Sequence, residues 1–144
     1  MSINSIKVKI KKLHPDAKIP TYSKHHSAGF DLYSIEDKII PADETAIVKT
    51  GIALEIPEGK VVCLWDRSGM GVKSQHRFSG VLDSDYRGEY NIVLHNHKRE
   101  SYEIKKGDRI VQGIIQDYYK AEFEEVLELE DSERRENWNS STGR

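Results

Sequence analysis

The apolar residues of this chain come in short runs, most of them alternating with polar ones, and turn formers interrupt the series again and again. Ile6, Val8 and Ile10 alternate with Lys7, Lys9 and Lys11, the period of two that turns one strand face to a core and leaves the ammonium groups in water. Alternation or a short apolar run recurs at Thr45 to Lys49, Ile52 to Ile56, Val61 to Trp65, Tyr90 to Leu94, Ile110 to Ile115 and Phe123 to Leu129. Pro41-Ala42-Asp43, Pro57-Glu58-Gly59, Ser79-Gly80 and Lys106-Gly107-Asp108 stand between them, combinations that favour turns for backbone reasons. Only Ser68 to Gln75 offers a short helical turn, and Gly69 and Gly71 weaken it. Many short strands without a long helix predict an all-β domain, a jelly-roll-like distorted barrel or sandwich.

At 144 residues the chain suits one hydrophobic core. From Glu130 onward almost nothing apolar is left to bury, so residues 1–129 are expected to form the β domain and 130–144 a flexible C-terminal arm. No apolar run approaches the length of a membrane span, and Met1 to Lys9 alternates instead of building a signal-peptide core. The expected location is intracellular: cytoplasmic, or nuclear in a eukaryote or virus. The single cysteine, Cys63, sits in the run Val61 to Trp65 and reads as a buried, inert thiol. A net charge of −2 argues against general polyanion binding, so neither nucleic acid nor membrane is an expected partner.

The most informative stretch is Gly80-Val81-Leu82-Asp83-Ser84-Asp85-Tyr86-Arg87-Gly88-Glu89, with two aspartates, an aromatic ring and an arginine between two glycines. Taken alone it reads as a polar hairpin, since Asp and Gly dominate turns. It resembles, however, the third motif of the trimeric dUTP pyrophosphatases, the dUTPases, and the rest of that motif set follows in order. Ala28-Gly29-Phe30-Asp31-Leu32 resembles the first motif, Asp66-Arg67-Ser68-Gly69-Met70 the second, Gly107-Asp108-Arg109-Ile110-Val111-Gln112 the fourth and Arg134 to Gly143 the fifth. Any one triplet is weak; five segments in order across most of the chain are specific.

The resemblance implies a homotrimer with sites at subunit interfaces and magnesium as cofactor, hydrolysing dUTP to dUMP and pyrophosphate, which keeps uracil out of DNA and supplies dUMP for thymidylate synthesis. It implies Asp83 as the base that orients and deprotonates the attacking water, a role a carboxylate suits. Arg67, Ser68 and Gln112 are implied at phosphate oxygens, with Gly69 beside them, and Asp31 as a holder of hydrated magnesium through water. Tyr86 is implied under the sugar, selecting deoxyribose. The backbone groups of Gly80, Val81 and Leu82 are implied to read uracil. For Asp108 and Arg109 a turn or structural ion pair is the preferred reading.

The fifth segment departs from the pattern. Arg134 and Ser141-Thr142-Gly143 fit, which implies Arg134, Ser141 and Thr142 at the γ-phosphate. Asn137, Trp138 and Ser140 occupy usual glycine positions, and Asn139 falls where phenylalanine is expected. Trp138 can offer the stacking face over uracil if the arm shifts by one residue. His95 and His97 are two apart on an expected strand, a spacing zinc could use. With no third or fourth ligand following in the sequence, a polar strand face is the preferred reading. Two rivals stand beside the dUTPase reading: a dCTP deaminase of the same superfamily, and a nucleotide-binding regulatory module with weak catalysis.

Overall fold

Alternation becomes a strand only where the chain finds an edge to pair with, and the computed structural model, which describes residues 5–133, shows where it does. Its strands are β1 (Lys9–Lys12), β2 (Thr21–Tyr22), β3 (Phe30–Tyr33), β4 (Lys38–Ile40), β5 (Thr45–Lys49), β6 (Ile52–Glu55), β7 (Lys60–Trp65), β8 (Gln75–Arg77), β9 (Val81–Leu82), β10 (Asn91–Asn96), β11 (Tyr102–Ile104) and β12 (Arg109–Asp117). A single short helix among the described residues, α1 (Ser68–Val72), forms where the sequence allows a helical turn.

The strands make four small sheets, ordered β2-β3-β12-β7-β9, β5-β10-β8, β1-β6 and β11-β4. This is the jelly-roll-like all-β architecture expected from the sequence. The spine is β12, the longest strand, antiparallel to β3 on one side and β7 on the other. Leu32, Ile40, Val48, Val62, Ile104 and Val111 are fully buried in one core. In β10 the period of two is plain: Ile92, Leu94 and Asn96 point inward while Val93 and His95 face out.

Asn96 is a polar group at an inward position, and the structure satisfies it. Its Nδ2 donates to the carbonyls of Ile40, Pro41 and Glu100, at 3.1, 3.1 and 2.8 Å. Its Oδ1 accepts from Gln75 Nε2 at 2.7 Å and from Lys98 N at 3.1 Å. A buried amide with every bond made rigidifies its surroundings; here it ties the 41–44 turn to the end of β10.

Three sequence expectations need correction. Phe123 to Leu129 forms no strand, because among the described residues no sheet edge reaches it, and Phe123, Leu127 and Leu129 lie almost fully exposed. Cys63 is half-buried: Val62 and Leu64 take the inward positions of β7, and alternation turns Cys63 to the other face. The first strand is shorter than its alternation, since pairing with β6 begins at Lys9 and leaves Ile6 exposed. No helix among the described residues is long and apolar enough to cross a membrane.

Candidate active site

Asp31 on β3 stands level with Gln112 on β12, and Gln112 stands level with Trp65 at the end of β7. The chain leaves β7 at Asp66, so Arg67 can turn back over this row. Its Nε donates to Asp31 Oδ1 at 2.7 Å, and its Nη1 to the Arg109 carbonyl at 3.3 Å. Arg109 brings its own Nη1 to 3.6 Å from Asp31 Oδ2. A carboxylate only 6% exposed thus faces two guanidinium groups, and the cluster carries a net positive charge suited to an anion.

Gln112 Nε2 donates to the Asp66 carbonyl at 2.8 Å. The glycine of the first motif makes room for it: a Cβ on Gly29 would overlap Gln112 Oε1 and lie 3.1 Å from Cδ. Ser68 and Gly69 open α1 on the exposed side of Arg67, and a Cβ on Gly69 would meet nothing within 4 Å. The second motif therefore borders open space.

The third motif forms a tight turn, with Tyr86 N donating to the Asp83 carbonyl at 3.1 Å and Arg87 Nη1 to the Ser84 carbonyl at 2.6 Å. Asp83, Asp85, Tyr86 and Arg87 are all exposed on it. Tyr86 is seated by its hydroxyl, which donates to the Glu89 carbonyl at 2.9 Å, and by Gly88, where a Cβ would lie 2.6 Å from Tyr86 Cζ. Its ring stacks on Tyr90 at 6.1 Å. Tyr90 is fully buried, and its hydroxyl has no hydrogen-bond partner among the described residues; burial pushes its pKa up to about 12. Upstream, the Gly80 carbonyl accepts from Leu64 N at 2.7 Å.

These two clusters are apart. β9 pairs with β7 so that Leu82 stands beside Val62 and Val81 beside Cys63, which sets Asp83 level with Val61. The Asp31–Gln112–Trp65 row crosses β7 four residues further on, about 13 Å along the strands, and Gln112 lies about 10 Å across them. No hydrogen bond or ion pair joins the two clusters among the described residues.

A model of the dUTPase family matches residues 15–143. The chain belongs to the dUTPase family. A deoxyuridine 5'-triphosphate nucleotidohydrolase of Nautilia profundicola is 46% identical over 142 residues, covering 96% of this chain and all of that one. Its counterpart in Helicobacter hepaticus is 43% identical, covering 94% and 88%. The dUTPase of Staphylococcus bacteriophage 80alpha with dUPNHPP superposes with a TM-score of 0.89 at 30% identity, over 97% of this chain and all of that one. A mutant dUTPase of phage phi11 of S. aureus, whose structure details the coordination of a structural Mg(II) ion, gives 0.81 at 25% identity, over 88% and all of the respective chains.

Of the residues singled out in this dUTPase sequence, Asp31, Arg67, Ser68, Gly69 and Gln112 gather in the first cluster. Gly80, Val81, Leu82, Asp83 and Tyr86 gather in the second. Arg134, Trp138, Ser141 and Thr142 lie outside the described residues. Arg109, expected in a turn or a structural ion pair, pairs with Asp31, which it shares with Arg67. Asp108 is the turn residue expected of it, with Oδ2 accepting from Lys105 N at 2.9 Å. Asp66 opens the second motif and sequence reasoning gives it no role of its own; its carbonyl holds Gln112 and its carboxylate holds Arg77 N and the His76 ring.

Proposed function

We propose that this dUTPase hydrolyses dUTP to dUMP and pyrophosphate at sites completed between copies of the chain in a homotrimer. The observation that carries the proposal is the separation just described: the phosphate-binding cluster and the Asp83 turn face open space at different places on one chain. A second copy can bring its Asp83 turn to the first copy's Arg67 and Gln112.

Asp83 orients a water and takes its proton as that water attacks the α-phosphorus and pyrophosphate leaves. Arg67, held by Asp31, meets phosphate oxygens with a preset guanidinium fork, joined by the Ser68 hydroxyl and the Gln112 amide. Tyr86 lies under the deoxyribose, and backbone groups of Gly80 to Leu82 read uracil. Arg134, Ser141 and Thr142 of the arm reach the γ-phosphate and Trp138 covers the base, excluding bulk water. Asp31 has both oxygens facing arginine, so it would hold a magnesium ion through water and not as a direct ligand. Bound with the triphosphate, magnesium offsets negative charge on its oxygens.

Assembly draws support from two more features. A groove of about 920 Å³ runs beside β1, lined by Ile6, Val8, Ile10, Tyr22 and Phe30 among others. Among the described residues β1 pairs only with β6, leaving one edge free. The Phe123 to Leu129 segment, unpaired among the described residues, offers the matching chemistry: apolar Phe123, Leu127 and Leu129, with Glu124 and Glu128 to meet Lys7 and Lys11. Covering each apolar side chain is worth about 1.5–3 kcal/mol.

The experiment is complementation. Asp83→Asn and Arg67→Ala are each expected to stop turnover. Co-expressed in equal amounts, they should recover about a quarter of wild-type sites, because each site draws Asp83 and Arg67 from different copies. No recovery, with mixed trimers present, would overturn the shared site. Pyrophosphate release from dUTP, dCTP, dTTP and UTP, with and without magnesium, tests the reaction; turnover of dUTP by Asp83→Asn at the wild-type rate would remove the base assignment. Light scattering should give three times the 16.5 kDa chain mass.

A further inference from the structure

The sequence places His95 and His97 on one strand face without a further ligand, and the fold supplies one. Asp43, His95 and His97 bring their ligand atoms within 4.8 Å of one another. We propose that these three residues form a site for a divalent transition-metal ion of the zinc class, on the outer face of the β5-β10-β8 sheet and separate from the nucleotide site.

The arrangement is built at three levels. The period of two puts both imidazoles on one face, with ring centroids 4.2 Å apart. Asp43 arrives from the turn between β4 and β5, where its φ of 56° places it in the left-handed region. That turn is not loose: Glu44 N donates to the Pro41 carbonyl at 3.3 Å and Asn96 N to the Glu44 carbonyl at 2.9 Å. The buried Asn96 amide also holds the Pro41 carbonyl. Asn96 is the residue between the two histidines, so one strand end carries two ligands and anchors the third.

The donor atoms are correctly disposed. Thr45 is the cross-strand neighbour of His95, and its hydroxyl lies 2.9 Å from His95 Nδ1. With Nδ1–H donating to Thr45, the lone pair of His95 stands on Nε2, which faces Asp43 Oδ1 at 3.2 Å. A hydrogen-bonded far nitrogen is the usual outer support of a metal-bound histidine. Bonds of about 2.1 Å put tetrahedral ligand atoms roughly 3.4 Å apart, so small side-chain rotations close the site. Phe78 packs against His95 with centroids 5.2 Å apart and limits its rotation. His76 lies across the strand from His95 but is held by Asp66.

Two imidazoles and one carboxylate select zinc, cobalt or nickel over magnesium, which takes oxygen ligands. Three protein ligands leave a position for water. The ion would tie the 41–44 turn to β10, and through linkage it should raise thermal stability.

The test is titration of chelator-stripped protein with zinc, and with cobalt as a spectroscopic probe. Wild type is expected to bind one ion per chain at micromolar Kd or tighter in the presence of excess magnesium, and cobalt to give visible d–d bands. D43N and H97Q change exposed side chains, and asparagine tolerates the backbone at position 43. Each should melt as the metal-free wild type does, bind zinc at least about 100-fold more weakly, and lose the bands; T45V should weaken binding about 10-fold or more. Zinc binding by H97Q equal to that of wild type, or no zinc binding by wild type under excess magnesium, overturns the proposal. The readout does not use dUTP turnover, so it stands whichever way the hydrolysis experiments fall.

Discussion

Asp31→Asn removes one charge and almost no volume from the first cluster. The Arg67–Asp31 bond is 2.7 Å long, with side chains 22% and 8% exposed, so water screens it little. A hydrogen bond to a charged group in such a place contributes about 1.5–3 kcal/mol. The Arg109 contact is longer, and its arginine is half-exposed; it adds at most a few tenths. Asparagine keeps an oxygen for Arg67 Nε but turns an NH₂ toward Arg109, donor to donor. The net expected loss is about 2 kcal/mol, which for a domain of this size is a fall of roughly 8 °C in Tm. Freed from its carboxylate, the Arg67 fork samples orientations that miss the phosphates, and kcat/KM for dUTP should drop about 10- to 100-fold. Thermal melts and pyrophosphate release measure the two effects. A Tm within 2 °C of wild type together with kcat/KM within twofold would show that the pair does not hold Arg67; lost stability with unchanged kcat/KM would show that holding it does not matter.

Tyr90→Phe deletes a buried hydroxyl without a partner among the described residues, and should raise stability by about 1 kcal/mol at neutral pH in denaturant unfolding. The same tyrosine has a pKa raised to about 12 in the folded chain, whereas the unfolded chain loses this proton near pH 10. Between those values the unfolded state binds fewer protons, so stability falls as pH rises from about 10 to about 12, by up to roughly 2–3 kcal/mol; the Phe variant should lack that part of the decline. Gly29→Ala drives a Cβ into the Gln112 side chain. Because that side chain can swing away, Tm should change little while kcat/KM falls about 10-fold; wild-type kinetics in this variant would refute a phosphate role for Gln112.

Much of the fold was legible because alternation is local. β5, β6, β7, β10 and β12 stand where the apolar pattern puts them, within a residue or two. Strands such as β3 and β4 are brief, and their pattern is masked by site residues and charge, so pairing partners define them. The error at Phe123 to Leu129 has the same origin: the pattern is that of a strand, but the described chain provides no edge for it. The candidate site residues come from resemblance to a motif set; the contacts of Asp31, Arg67 and Gln112 come only from the fold. Nothing in the sequence says that Asp31 meets two arginines drawn from positions 67 and 109. That follows from β12 lying between β3 and β7. The Asp43, His95 and His97 cluster makes the same point, since a ligand 52 residues away from His95 is found only once β5 lies beside β10.

Register explains why catalysis and assembly should be inseparable here. β9 joins β7 in a ladder that sets Asp83 level with Val61, and β12 joins β7 in one that sets Gln112 level with Trp65. The offset is fixed by inward-facing residues. Sliding β9 by one residue would turn Leu82 out of the core and Val81 into it, and sliding it by the four needed to reach Gln112 would break every pair it makes. The core therefore holds Asp83 away from the Arg67 and Gln112 cluster of its own chain. Local flexibility of the 83–88 turn does not cancel that distance, because Tyr86, Gly88 and Glu89 pin the turn to its base. Activity of a dissociated chain would have to come from a rearranged core, and dilution into the monomer range should extinguish turnover without unfolding the β domain.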